Sequence, residues 1–301
     1  GYRSRYENYQ TFREHLKVPL LTVELAYGDT LELNAKDATK LIQLRSDQVM
    51  WQKERLLNVA MQALPPECRK VAWLDCDILF ERDDWPRTAS QVLEDYTLVQ
   101  LFSRVRLLGH YIDLSQPLAE QRYVDRKSMA AGIVSELADF NQLDGSSSVR
   151  RAHGLPHDYS PGHAWAMWRK DLEQVSLYDA MILGGGDYAM LQAAMGRSEA
   201  YVRERQHNAR RAQHYLSWAK QFHAIVDGNI GMVPGDIYSL WHGELQDRNY
   251  VARRSILLRF NFDPYHDIAV DDKGCWRWNS DKPALHDAVR AYFWDRKEDG
   301  P

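Results

Sequence analysis

Between Lys70 and Asp77 the chain reads Lys-Val-Ala-Trp-Leu-Asp-Cys-Asp, an apolar run of strand length that ends in two acids. An uninterrupted apolar stretch of this kind is satisfied as a strand covered on both faces, which needs helices above and below a sheet. Acids at its carboxyl end fall where open α/β sheets bind their ligands.

The surrounding pattern repeats this rhythm. A polar, aromatic segment with Tyr6, Tyr9, Phe12 and Leu16 reads as a helix, and residues 20–25 read as a strand before a Gly28-Asp29 turn. Residues 46–64 read as a helix with Ser46 as its cap and Pro65-Pro66 as its stop, and a second helix follows over 85–96. A strand is predicted over 97–102, another over 163–168, a helix over 184–195 and a charged helical region over 199–226. The alternation predicts an α/β fold with a mixed, mainly parallel, Rossmann-like sheet flanked by helices, and helical additions in the C-terminal half. Residues 113–161 lack strong periodicity. They read as a long loop, in which His153 and His157 have no partner spacing for zinc and mark an acceptor lid.

Composition narrows the function. A net charge of -4 excludes a general nucleic-acid binder, since phosphate-backbone binding needs a basic surplus. Ten Trp and sixteen Tyr suit stacking on sugars or bases, although most are expected in the core. Three cysteines without metal-type spacing read as reduced thiols of a cytoplasmic protein. No apolar run approaches the ~20 residues that span a bilayer. The chain starts at Gly1 without Met, so upstream sequence with a further strand is expected.

Two acids one residue apart at a strand end can hold a divalent cation against a nucleotide diphosphate, one acid on the metal and one on ribose or a metal-bound water. Read alone, Asp75-Cys76-Asp77 fits a solvated turn as well. The segments around it add to this reading. Trp51-Gln-Lys-Glu-Arg-Leu-Leu-Asn58, then Val71-Ala-Trp-Leu-Asp75-Cys-Asp77-Ile-Leu-Phe80, Gly162-His-Ala-Trp-Ala-Met-Trp-Arg169, Gly184-Gly185-Gly186-Asp187 and Leu240-Trp-His242-Gly243 occur in one order over about 200 residues. Together they resemble the β-1,4-galactosyltransferase family and its GT-A relatives.

The resemblance implies one GT-A domain over 1–301, with a nucleotide-sugar-binding half at 1–110, an acceptor and catalytic half at 111–260, and a C-terminal hairpin and helix at 261–301. It implies Mn²⁺ (or Mg²⁺) on Asp77 and His242 with Asp75 beside them, a UDP-sugar donor, a glycan or other hydroxyl acceptor, and Asp187 as general base of an inverting transfer. Gly185 and Gly186 would let the substrates approach the backbone. Glu24, Arg45, Trp51, Lys53 and Arg248 are further candidates for the nucleotide pocket. Arg203, Arg205, Arg210 and Arg211 read as a solvated helix face, with an acceptor-facing patch as the alternative.

Three departures from the family pattern stand out. Its acid before the base is Gly186 here, the acids after the base are Tyr188 and Ala189, and its methionine ligand is Ser239. Acceptor identity is therefore not carried over. Two further readings stay open: a sugar-nucleotide nucleotidyltransferase, for which no Gly-rich basic loop is visible, and a non-catalytic sugar-binding protein that keeps the fold.

Overall fold

A computed structural model of the chain describes residues 2–136, 159–244, 247–249 and 252–300. Helix α1 (Arg3–His15) precedes the parallel pair β1 (Leu21–Tyr27) and β2 (Lys40–Ser46). Helix α2 (Lys53–Gln62) leads into β3 (Lys70–Leu74), and β4 (Ile78–Phe80) follows after Asp75-Cys76-Asp77. After α3 (Trp85–Val92) come β5 (Leu98–Gln100), β6 (Arg104–Leu108), β7 (Tyr123–Ser128) and α4 (Met129–Glu136). Then follow β8 (Tyr159–Ser160), β9 (Ala164–Trp168) and α5 (Arg169–Val175).

The second half adds α6 (Gly186–Ala194), α7 (Ser198–Glu204), α8 (Ala209–Val226), β10 (Ile230–Met232) and β11 (Asp236–Ser239). Helix α9 (Ala252–Arg259), the antiparallel hairpin β12 (Ile268–Val270) and β13 (Trp276–Trp278), and α10 (Pro283–Trp294) complete the described elements.

Two larger sheets carry the fold, one in the order β10-β5-β9-β3 and the other β4-β11-β6-β7-β8. The α/β class holds, but the expectation of a mainly parallel sheet is corrected. β9 runs antiparallel to both β3 and β5, β11 to β4, and β7 to β6, whereas β5–β10, β6–β11 and β7–β8 are parallel. For β6–β7 the reason is local: the two strands are joined without an α-helical crossover, and a connection of that kind returns the chain antiparallel.

Because β3 and β4 lie in different sheets, Asp75-Cys76-Asp77 is the step between them. Strand β9 supplies the core beneath it: Trp165 and Met167 are fully buried and pack with Leu191 of α6 and Phe222 of α8. Burial of a large apolar side chain stabilises by roughly 1.5–3 kcal/mol, so this seam holds the floor of the site firmly. The Tyr215 hydroxyl donates to Ala189 O at 2.7 Å and pins α8 to α6.

Some boundaries differ from expectation. Ser46 ends β2 rather than capping a helix, and α2 begins at Lys53. The aperiodic stretch 113–161 contains β7 and α4, while His153 and His157 lie outside the described residues. The charged region 199–226 is two helices, divided where Asn208 caps α8 by accepting from Arg211 N at 2.9 Å. No helix among the described residues is long and apolar enough to cross a membrane. Cys68, Cys76 and Cys275 are free thiols.

Candidate active site

The step between the sheets is fixed from both sides. Asp75 N donates to His163 O at 2.7 Å, tying the end of β3 to the start of β9. The antiparallel ladder that pairs Ser239 with Ile78 continues one position further, with Leu240 N donating to Asp77 O at 2.8 Å. That register carries His242 onto Asp77: its Nδ1 lies 3.1 Å from Asp77 Oδ2 and 3.0 Å from Leu240 O. Arg248 Nη2 is 2.8 Å from His242 Nε2. A guanidinium only donates, so Nε2 accepts and Nδ1 carries the proton. Burial, with Arg5 and Arg248 adding to it, holds the His242 pKa well below its usual value and keeps the ring neutral.

Opposite this pair, the loops before α2 and α6 meet. Trp51 N donates to Ile182 O at 2.9 Å. Asn58 clamps residue 177 through both its backbone groups, each at 2.9 Å, and Arg55 pairs with Asp179 at 3.0 Å. This clamp brings the first residue of α2 against the first turn of α6. Lys53 Nζ stands 2.6 Å from Asp75 Oδ1 and 3.0 Å from Asp187 Oδ2, so one ammonium joins both carboxylates. Burial opposes the charge of Lys53, but Asp187 and Asp75 outweigh it and raise its pKa well above normal. Asp75 is lowered, since Lys53 and His163 overcome its burial. Asp187 is raised: burial exceeds the pull of Lys53, and Asp75 adds to it. Asp77 is raised by burial and by the neighbouring Asp75.

Glycines make the approach possible. Gly184 and Gly185 have φ of 80° and 99°, a left-handed turn that swings the chain into α6. Gly186 has no such φ, yet a Cβ there would lie 2.2 Å from Glu54 Oε1. Glu54 is buried, accepts from Trp51 Nε1 at 3.0 Å, and has its pKa pushed up to about 7 by burial, with Lys53 opposing and Asp187 adding.

Asp75, Asp77, Asp187, His242, Trp51, Lys53, Gly185, Arg248 and Glu24 all face one cavity of about 1290 Å³. Glu24 spends its carboxylate on its own neighbourhood, accepting from Glu32 N at 2.6 Å and Gln43 Nε2 at 2.9 Å. Arg45 is not brought there; it is exposed, 3.5 Å from Asp29 O. Gly186 is buried against Glu54 and is not among the residues lining the cavity.

Sequence reasoning missed Glu54, Arg5, His163 and Glu298. Arg5 reaches Asp77 Oδ2 at 3.8 Å and is itself gripped by Glu298, which also takes Arg296 at 2.5 Å. His163 holds a left-handed φ of 78° and a buried, unpartnered Nδ1, and burial lowers its pKa against the pull of Asp75 and Asp77. A non-glycine residue in that region costs of order 1–3 kcal/mol and is kept where the surroundings enforce it. Only the Gly162-His163 pair ahead of an apolar strand signalled it.

The residues admit a divalent cation between Asp77 and His242. Asp77 is 3 % exposed and its Oδ1 has no partner, an orphan that a cation would satisfy. Among the described residues no group of three or more His, Cys, Asp or Glu forms a metal cage. A cation held there by these two residues would need its remaining ligands from outside the protein, as for cations held by one or two protein ligands. Binding at Nδ1 requires its proton to leave and Arg248 to turn aside. No protein-family model matches the chain, and no curated protein sequence matches it significantly.

Proposed function

We propose that the chain is a GT-A type glycosyltransferase that moves a hexose or N-acetylhexosamine from a UDP-sugar to a hydroxyl acceptor with inversion. The observation that carries this reading is Lys53, whose ammonium stands between Asp75 and Asp187 at 2.6 and 3.0 Å inside the cavity. One carboxylate of that pair belongs to the two-acid step and the other to the Gly-Gly-Gly-Asp segment, so the two halves of the resemblance share a single cation.

The chemistry follows from those charges. An acceptor hydroxyl attacks the anomeric carbon, the bond to the β-phosphate oxygen breaks, and the diphosphate leaves with its electron pair. Asp187 takes the hydroxyl proton; burial raises its pKa, which makes the carboxylate a stronger base. In this reading Lys53 and Arg248, which line the same cavity, oppose the departing charge. Mn²⁺ or Mg²⁺, when bound by Asp77 and His242, would offset the same charge as a Lewis acid. The resembled family has an acid at the place of Gly186. Here Glu54 brings a carboxylate into the space a side chain there would fill, which supports the reading despite the altered motif.

The test is turnover. Purified protein is incubated with UDP-, GDP- and dTDP-sugars and assayed for nucleotide release with and without Mn²⁺. UDP release from one sugar supports transfer. Pyrophosphate-dependent release of a nucleoside triphosphate selects the nucleotidyltransferase, and binding without release selects the sugar-binding protein.

A further inference from the structure

One part of the cavity wall is built from the end of α7 and the first turn of α8, and it carries Arg205 and Arg211. Arg211 lines the cavity yet is only 6 % exposed. Among the described residues no carboxylate pairs with it; burial lowers its pKa, and the only titratable groups that favour its charge are the neutral phenols Tyr201 and Tyr178. A buried guanidinium without a counter-charge is strongly unfavourable. The helix makes it worse. The first turn of α8 holds Arg210 and Arg211 and no acid, the reverse of what the helix dipole favours.

Arg205 lines the same cavity, its guanidinium 4.7 Å from the Tyr188 ring and 5.7 Å from the Tyr201 ring. His207 feels the charge of both arginines, and both its ring nitrogens are buried and unpartnered. Burial together with Arg211 and Arg205 pushes its pKa down to about 2, so it stays neutral. Tyr201 feels Arg205, Arg211, Arg254 and Arg253 together. Tyr188 follows Asp187 directly in the chain and lines the same cavity as both arginines.

We propose that this part of the cavity is an anion subsite, in which Arg211 and Arg205 grip a phosphate or sulfate ester carried by the acceptor, so that the acceptor is an anionic sugar. Calling the occupant an acceptor rests on the transferase reading; the anion subsite itself does not. An ester of this kind supplies the counter-charge that no described carboxylate gives Arg211, and several strong acceptor atoms at once.

The full chain is titrated by calorimetry with N-acetylglucosamine, its 6-phosphate, its 6-sulfate, inorganic phosphate and UDP, beside the variant Arg211→Met. The esters are expected to bind at least roughly tenfold more tightly than the neutral sugar. Arg211→Met should erase that preference, leave UDP affinity unchanged and raise the melting temperature of the free protein, since an uncompensated charge is replaced by an apolar side chain of similar length. A phosphate ester preferred over the sulfate points to a sugar phosphate, and the opposite order to a sulfated glycan; either supports the subsite. Equal binding of neutral and charged sugars overturns it. So does a variant that keeps the preference, that loses stability, or that loses UDP and ester affinity together, the last placing the donor diphosphate there. Ester binding in a protein that binds no nucleotide sugar sinks the transferase reading and leaves the subsite standing.

Discussion

Lys53 and Asp187, 134 positions apart, meet with the ammonium 3.0 and 3.2 Å from the two carboxylate oxygens. The same ammonium holds Asp75, so any change in its charge is felt at both ends of the site.

Removing that charge has a defined consequence. Lys53→Met is expected to lower turnover by about 100-fold or more, the scale for loss of one preorganised cationic donor. Because Lys53 pulls the Asp187 pKa down, its loss raises that pKa further, and the acid limb of the pH–rate profile moves to higher pH. A profile that keeps its acid limb in place contradicts the pairing.

Gly186 is predicted to tolerate no side chain. Its φ is ordinary, so the penalty of Gly186→Ala comes from the Cβ lying 2.2 Å from Glu54 Oε1, and overpacking of this kind costs roughly 1–3 kcal/mol. Chemical denaturation measures it. The double variant Gly186→Ala with Glu54→Ala recovers most of the loss if the clash is the cause.

Glu54 gives stability a pH dependence. Its carboxyl titrates at about 7 in the folded protein against 4.5 for an unperturbed glutamate, so the folded state holds the proton more tightly. This contribution is fully present below pH 4.5 and is lost as pH rises through about 7. Melting temperatures from pH 5 to 8 should fall more steeply for the wild type than for Glu54→Gln. Parallel curves would show that the carboxyl is already ionised.

Cation binding is read by the same method. A ligand that binds only the folded state raises its melting point. Mn²⁺ with UDP should do so for the wild type, and Asp77→Ala and His242→Ala should each remove the Mn²⁺-dependent part. A shift that survives both places the ion elsewhere.

Much of this site was legible in the sequence, for identifiable reasons. Asp75 and Asp77 stood out because an apolar strand ends on them, and Asp187 through the resemblance of its Gly-Gly-Gly-Asp segment to the family's. Lys53 and Trp51 were found as part of a segment, without their contacts. Strand β2 was missed because its exposed positions carry Lys40, Gln43 and Arg45, and the apolar residues after Ser46 suggested a helix too early. Strand β7 was missed because Asp125, Arg126 and Lys127 hide its alternation. Arg5 and Glu298, and the burial of Arg211 that contradicts its reading as part of a solvated helix face, share a different cause. Each is defined by a partner, or by the want of one, that only the folded chain determines, and short-range periodicity carries no trace of it.

The central claim is that Asp187 removes the acceptor proton in a site that holds a nucleotide sugar. The most direct measurement is single-turnover transfer from the UDP-sugar selected by the panel, made with the wild type and Asp187→Asn and paired with donor affinity for both. The account predicts unchanged donor affinity and a rate lowered by roughly 100-fold or more in the variant. A variant that turns over as fast as the wild type, or one that no longer binds the donor, contradicts it.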